Sequence, residues 1–186
     1  MLFRSLAAAA SYGLEHLRDE VVTASEPNGG PEAPPQHVTL DTSKEYGTYA
    51  EANDALKAKL SSAYKASGSK WEWGGFVVEK DGHFYLSQIA TSQSSSTVIW
   101  YGRDLLQIRD AGFAVRSYQH IHPGIVIGAQ YGFSDSDKTS AKWMFKNLGM
   151  RSFMRLDADR GMRTYGLTPG NISDAGRLCV AAWTNC

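Results

Sequence analysis

Tyr49, Ala52, Leu56, Leu60 and Ala63 fall on one face of a 3.6-residue period, and Thr48 with Glu51 three places on forms a capping-box start. This pattern predicts a helix from about 48 to 65. Downstream the period changes. Val77 to Val78 and Phe84 to Ile89 flank Lys80-Asp81-Gly82, a hairpin signal between two strands. The polar tract Thr91 to Thr97 reads as a loop, and Gly102 to Arg109 as a short helix. The apolar-leaning run Phe113 to Tyr118 reads as a strand, which Pro123 and Gly124 bring to an end. Ala141, Met144, Phe145 and Leu148 return to helical spacing behind Ser134, whose type and place suit an N-cap. Met150 to Leu156 and Arg163 to Leu167 read as two last strands around Asp157-Ala-Asp-Arg-Gly161. Helices before, between and after strands predict an α/β sandwich, one mixed β-sheet flanked by helices.

The chain has 186 residues, 42% hydrophobic and 20% charged, enough apolar content for one core of ordinary size. Lys+Arg and Asp+Glu both number 19, so no global basic footprint argues for a nucleic-acid partner. No apolar run is long enough to span a membrane. Met1 to Ala10 has a superficial likeness to a signal peptide, but its apolar stretch is short and Ser11 to Glu20 continues as a helix. Thr23 to Gln36, rich in proline and glycine, reads as a linker. The expected organisation is therefore a helical segment and linker over 1–36 and a main domain over 37–186. The only cysteines, Cys179 and Cys186, are too few for a zinc knuckle and leave the redox compartment open.

Candidate chemistry concentrates in three places. His120 and His122 are spaced i, i+2 at the end of a predicted strand, so their imidazoles share a face, as a pair of metal ligands would. Ser134 and Asp137 open the following helix in Ser-x-x-Asp spacing. If the intervening glycine-containing loop folds back, one carboxylate meets two imidazoles. The third place is Glu72, between Trp71 and Trp73 and ahead of Gly74-Gly75, where the glycines allow another backbone or a ligand to approach closely. A catalytic zinc has three protein ligands and an open position, and a nearby carboxylate can then do general acid–base work. Taken singly, each feature has an ordinary reading, a polar strand end, a helix cap or an edge-strand glutamate.

Taken in order, Glu72 with Gly74-Gly75, His120-x-His122-Pro123 and Ser134-x-x-Asp137 resemble the signature of the JAMM (JAB/MPN) zinc metallopeptidases. The likeness runs from about Thr48 to about Thr168. It looks closest to an uncharacterised bacterial branch found at the C-termini of Rhs-type polymorphic toxins, matched by Glu72-Trp-Gly-Gly75, Asp81-Gly-His-Phe-Tyr-Leu86 and Phe133-Ser-Asp-Ser-Asp137. The resemblance implies a JAB/MPN-like α-β-α sandwich in which His120, His122 and Asp137 bind Zn2+. It further implies that Glu72 deprotonates the attacking water and that Ser134 stabilises the tetrahedral intermediate. The spacer from His122 to Asp137 is longer than in the common peptidases, which leaves Asp135 as a rival ligand. Asp137 is favoured because it keeps the Ser-x-x-Asp spacing.

The expectation is a zinc-dependent peptidase or isopeptidase acting on a peptide or protein, as an effector domain secreted from bacteria with an immunity protein as partner, or otherwise cytoplasmic. Its rivals are a catalytically silent binding or assembly module of the same fold, and a zinc hydrolase of a non-peptide amide. Other residues have plainer readings. His16, His37 and His83 are isolated, Asp157 and Asp159 suit a solvated hairpin tip, and Ser92 to Ser96 lack a nucleophile elbow. Asn171-Ile-Ser173 matches a glycosylation acceptor that matters only on a eukaryotic secretory route. Trp71, Trp73, Tyr85, Trp100 and Tyr101 are either a substrate groove near Glu72 or ordinary core and sheet-face aromatics.

Overall fold

The computed structural model describes residues 21–22, 35–93, 98–122, 133–157, 163–172 and 179–180. In chain order the elements are β1 (Val21–Val22), β2 (Leu40–Tyr46), α1 (Tyr49–Ala66), β3 (Trp73–Lys80), β4 (His83–Ser87), β5 (Trp100–Tyr101), α2 (Gly102–Asp110), β6 (Ala114–His122), α3 (Asp135–Leu148), β7 (Ser152–Asp157), β8 (Arg163–Leu167) and β9 (Cys179–Val180). One mixed sheet runs in the order β2-β4-β3-β6-β7-β8-β9, and β1 pairs separately with β5. Within the sheet β6 and β7 are parallel while the other neighbours are antiparallel. A parallel pair needs a crossover, and α3 supplies its helix.

Alternation along the strands divides the core in two. Phe76 and Val78 of β3, Tyr118 of β6 and Phe153 of β7 pack with Leu105 of α2 and with Ala141, Met144 and Leu148 of α3. Val77, Ile121 and Leu156 from the same strands pack with Ala52, Leu56, Leu60 and Tyr64 of α1. The result is the expected α/β fold, a mixed sheet with α1 on one face and α2 and α3 on the other. Local chemistry agrees with it. Thr48 and Glu51 complete a capping box at α1, and the β3–β4 hairpin turns through Asp81 (φ 54°) and Gly82 (φ 82°), whose paired positive φ values suit a tight two-residue turn.

β6 is held from its α1 side as well. Ser117 and Gln119 are buried and donate to the Asn53 side-chain oxygen at 3.1 and 2.8 Å. Their alternate neighbours, Tyr118, His120 and His122, therefore face α3.

Four sequence readings need correction or placing. β2, reading Leu-Asp-Thr-Ser-Lys-Glu-Tyr, was not expected, because its mostly exposed residues lack an alternating apolar face. Asp157 is not at a solvated tip; it ends β7, is 5% exposed, and accepts from Arg155 Nε at 2.6 Å. Trp100 is fully buried against Phe76 and Tyr118, which makes it core and not groove. At the predicted domain boundary, Gln36 is joined to the body, its N–H donating to Ile99 and its carbonyl accepting from Tyr101. The predicted helix at 11–20, the signal-like stretch, His16, Asp159, Ser173, Cys186 and most of the linker lie outside the described residues. Among the described residues no helix is long and apolar enough to cross a membrane.

Candidate metal centre

β3 and β6 bring two of the three sequence clusters together. Trp73 pairs with Ile121 and Gly74 with His120, so Glu72, one residue ahead of β3, lies beside the end of β6. Close strand packing is possible here because of the glycines. A Cβ on Gly74 would stand 2.5 Å from the Tyr118 hydroxyl, and one on Gly75 would stand 2.9 Å from Leu56. The Tyr118 ring in turn stacks on His120, with centroids 5.4 Å apart and planes 20° from parallel. His120 is thus held between an aromatic wall and the N-terminus of α3.

Within this setting the Nε2 atoms of His120 and His122 are 3.0 Å apart, and Glu72 Oε1 lies 3.8 and 3.9 Å from them. One ligand atom each from Glu72, His120 and His122 falls within a 4.8 Å group that could hold a metal ion. Asp137 joins it through His120, its Oδ1 standing 3.4 Å from Nε2. The α3 cap explains that carboxylate's pose. Ser134 donates from both its backbone N–H and its hydroxyl to Asp137 Oδ2, each at 3.0 Å, while its Oγ accepts from the Asp137 N–H. One carboxylate oxygen is used by the helix start, and the other is left facing the imidazoles. Asp135 begins α3, and its side chain lies outside the described residues.

The site gathers two buried carboxylates beside two imidazoles. Glu72 and His120 are fully buried and Asp137 is 1% exposed. Both Glu72 oxygens and Asp137 Oδ1 have no hydrogen-bond partner. Orphaned buried acceptors cost a protein on the order of 1–3 kcal/mol each, so their convergence calls for a ligand. Burial, and then the charge of Asp137, push the Glu72 carboxyl well above its ordinary range. Burial followed by the Arg155 guanidinium pulls His120 down to about 3. Burial and the His120 ring do the same to His122, also to about 3. Both imidazoles are therefore neutral near pH 7, the form that binds metal.

The distances fit a metal. Ligand atoms about 2.0–2.2 Å from a tetrahedral ion lie roughly 3.3–3.5 Å from one another. The 3.0 Å His–His and 3.4 Å His–Asp separations are close to such edges, and the 3.8–3.9 Å to Glu72 is longer. His122, with 26% of its side chain exposed, marks the side from which the cluster meets solvent.

Other sequence candidates lie elsewhere. His37 pairs with Asp104 at 2.9 Å and His83 with Glu45 at 2.7 Å, and the Ser92 hydroxyl accepts from the Ile99 N–H. Asn171 caps its own turn by accepting from the Thr168 N–H at 2.6 Å. Sequence reasoning passed over Arg155, which the parallel register sets beside His120, with Asp157 beside His122. No family model matches the chain, and no curated protein matches it.

Proposed function

We propose that the protein is a zinc-dependent peptidase or isopeptidase of JAMM type, with His120, His122 and Asp137 as metal ligands and Glu72 as general base. The observation that carries this reading is the meeting of three buried carboxylate oxygens without a hydrogen-bond partner, from Glu72 and Asp137, beside two neutral imidazoles. Two nitrogens and a carboxylate suit a borderline ion such as zinc better than calcium or magnesium. Bound there, zinc supplies Lewis acidity that lowers a water's pKa and polarises a carbonyl.

The chain's own residues do the rest. Glu72, whose Oε1 lies 3.8 and 3.9 Å from the two imidazole nitrogens, takes a proton onto a carboxylate oxygen and passes it to the leaving amine. The α3 cap holds Asp137 at a fixed angle, and its negative charge offsets the positive helix end that faces the cation. Ser134, whose hydroxyl holds Asp137, keeps the cap rigid beside the reacting carbonyl.

Elemental analysis of metal-replete protein is expected to give about one zinc per chain. Glu72→Gln keeps that zinc and loses hydrolysis of peptide and isopeptide substrates, whereas His122→Ala loses both. Zinc bound without hydrolysis of any peptide or isopeptide refutes the peptidase reading and favours a binding module. Hydrolysis confined to non-peptide amides moves the substrate class.

A further inference from the structure

Val115 and Tyr118 of β6 are three positions apart, yet both pack in the α3-side core. A regular strand puts such a pair on opposite faces. The pairing with β3 shows how they come to share one. Val78 lies opposite Val115 and Val77 opposite Ser117, which leaves Arg116 as an extra residue, a β-bulge. The bulge reverses the alternation of everything after it. Ser117, Gln119 and Ile121 turn to the α1 side, while Tyr118, His120 and His122 turn to the side where Glu72 and Asp137 meet the imidazoles. If the strand slips by one to absorb the extra residue, His120 moves from Gly74 to Gly75. Gly74 faces the Tyr118 ring and Gly75 faces Leu56 of α1, so the slipped imidazole points away from Asp137.

Asn53 sits where it can hold the bulge. Fully buried on α1, its side-chain oxygen accepts from Ser117 Oγ at 3.1 Å and from Gln119 Nε2 at 2.8 Å, the first and third residues after the bulge. Gln119 also donates to the Asn53 carbonyl at 3.3 Å. Among the described residues Asn53 Nδ2 has no hydrogen-bond partner, so the amide is kept at a cost in stability that an apolar side chain avoids. Arg116 itself is clamped, its Nε donating to Glu79 Oε2 at 2.6 Å and its carbonyl accepting from the Arg151 N–H at 3.0 Å, just before β7 begins.

We infer that the bulge at Arg116 sets which way the histidine pair faces, and that Asn53 is a positioning residue of the metal centre, fixing the bulge through Ser117 and Gln119. This rests on the cluster's being a metal centre. Asn53 stands on the opposite face of the sheet and acts by making that face the place for two hydrogen-bonding side chains. Tyr118, carried between them, then lies against His120, and the two imidazoles follow. A buried polar group that fixes register in this way trades stability for a single arrangement.

The test uses the full chain and two backgrounds, the parent and a chain from which Arg116 is deleted. Zinc affinity is measured by competition with a chromophoric chelator. Asn53→Leu, close in shape but without the acceptor, is expected to weaken zinc binding roughly 10–100-fold in the parent. Deleting Arg116 makes Val115 and Ser117 neighbours that alternate regularly, with both histidines still facing α3. In that background Asn53→Leu is expected to leave zinc affinity within about threefold, because the extra residue that permits the slip is gone. A merely structural asparagine loses zinc binding equally in both. Cross-strand contacts measured by NMR read the register without metal, and Asn53→Leu should bring Tyr118 opposite Val77 in a share of the molecules. Gln119→Met removes the same bond from β6 and serves if the leucine variant does not fold. Unchanged zinc affinity in the parent background, an equal loss in the two backgrounds, or a loss with Ser117 alone still opposite Val77 overturns the inference and leaves the metal centre standing. A parent protein that binds no metal overturns both.

Discussion

A single methyl group at Gly74 would meet the Tyr118 hydroxyl at 2.5 Å and its ring carbons at 3.0 Å. The ring cannot swing away easily, because it packs on Phe76, Phe153 and His120. Gly74→Ala is therefore expected to cost about 1–3 kcal/mol in denaturant unfolding and to weaken zinc binding by tilting His120. A variant as stable as the parent would show that the strand can shift freely. The site's titration gives a second expectation at this scale. His120 and His122, near 3 when folded against an ordinary 6.5, contribute stability that is present above 6.5 and lost as pH falls towards 3. Glu72, raised above 4.5, contributes stability present below that value and lost as pH rises through its folded pKa. Two histidine slopes outweigh one glutamate slope below 6.5. The thermal midpoint of chelator-treated protein should fall on the acid side of pH 6.5 by roughly 2–4 °C per pH unit. Of this chemistry the sequence showed the histidine pair, the Ser-x-x-Asp start and Glu72, because each carries a local spacing. Arg155 was invisible, since its place beside His120 is a matter of strand register, which local pattern does not encode.

Elements behave similarly. α1 and α3 were readable from capping boxes and helical spacing, and the β3–β4 hairpin from Asp81-Gly82, because all of these are set by contacts a few residues apart. β2 escaped notice because among the described residues it pairs on one side only, and its residues Thr42 to Glu45 are exposed. The α3 start is the element on which site and fold depend together. Ser134→Ala removes the acceptor for the Asp137 N–H and one donor to its Oδ2. It should lower stability by about 0.5–2 kcal/mol and zinc affinity by roughly 10–100-fold, measured by urea unfolding and chelator competition. Ser134→Thr should restore much of both, and a stability loss with unaltered zinc affinity would separate the cap from the site.

At the scale of the molecule, the candidate metal cluster and, among the described residues, both cores come from residues 38 onward. A chain beginning at Pro35 keeps the Gln36 bridge to Ile99 and Tyr101 and gives up the β1–β5 pair. It should fold with the same zinc stoichiometry, as far-ultraviolet dichroism and elemental analysis would show. Insolubility or metal loss would make the preceding residues an integral part of the domain. The parallel β6–β7 pair has a consequence for the order of assembly. β3 and β4 can meet across a two-residue turn, whereas β7 reaches β6 only after α3 has been made and laid against the sheet. Glu72 and the two histidines gather with the β3–β6 pairing. Asp137 and Arg155 arrive with the crossover, one ahead of it and one behind. A growing chain thus holds Glu72 and the two histidines together before Asp137 and Arg155 join them. If the cluster takes a metal, an ion captured early would draw α3 into place, and its supply during synthesis would then raise the share of chain that reaches the native state.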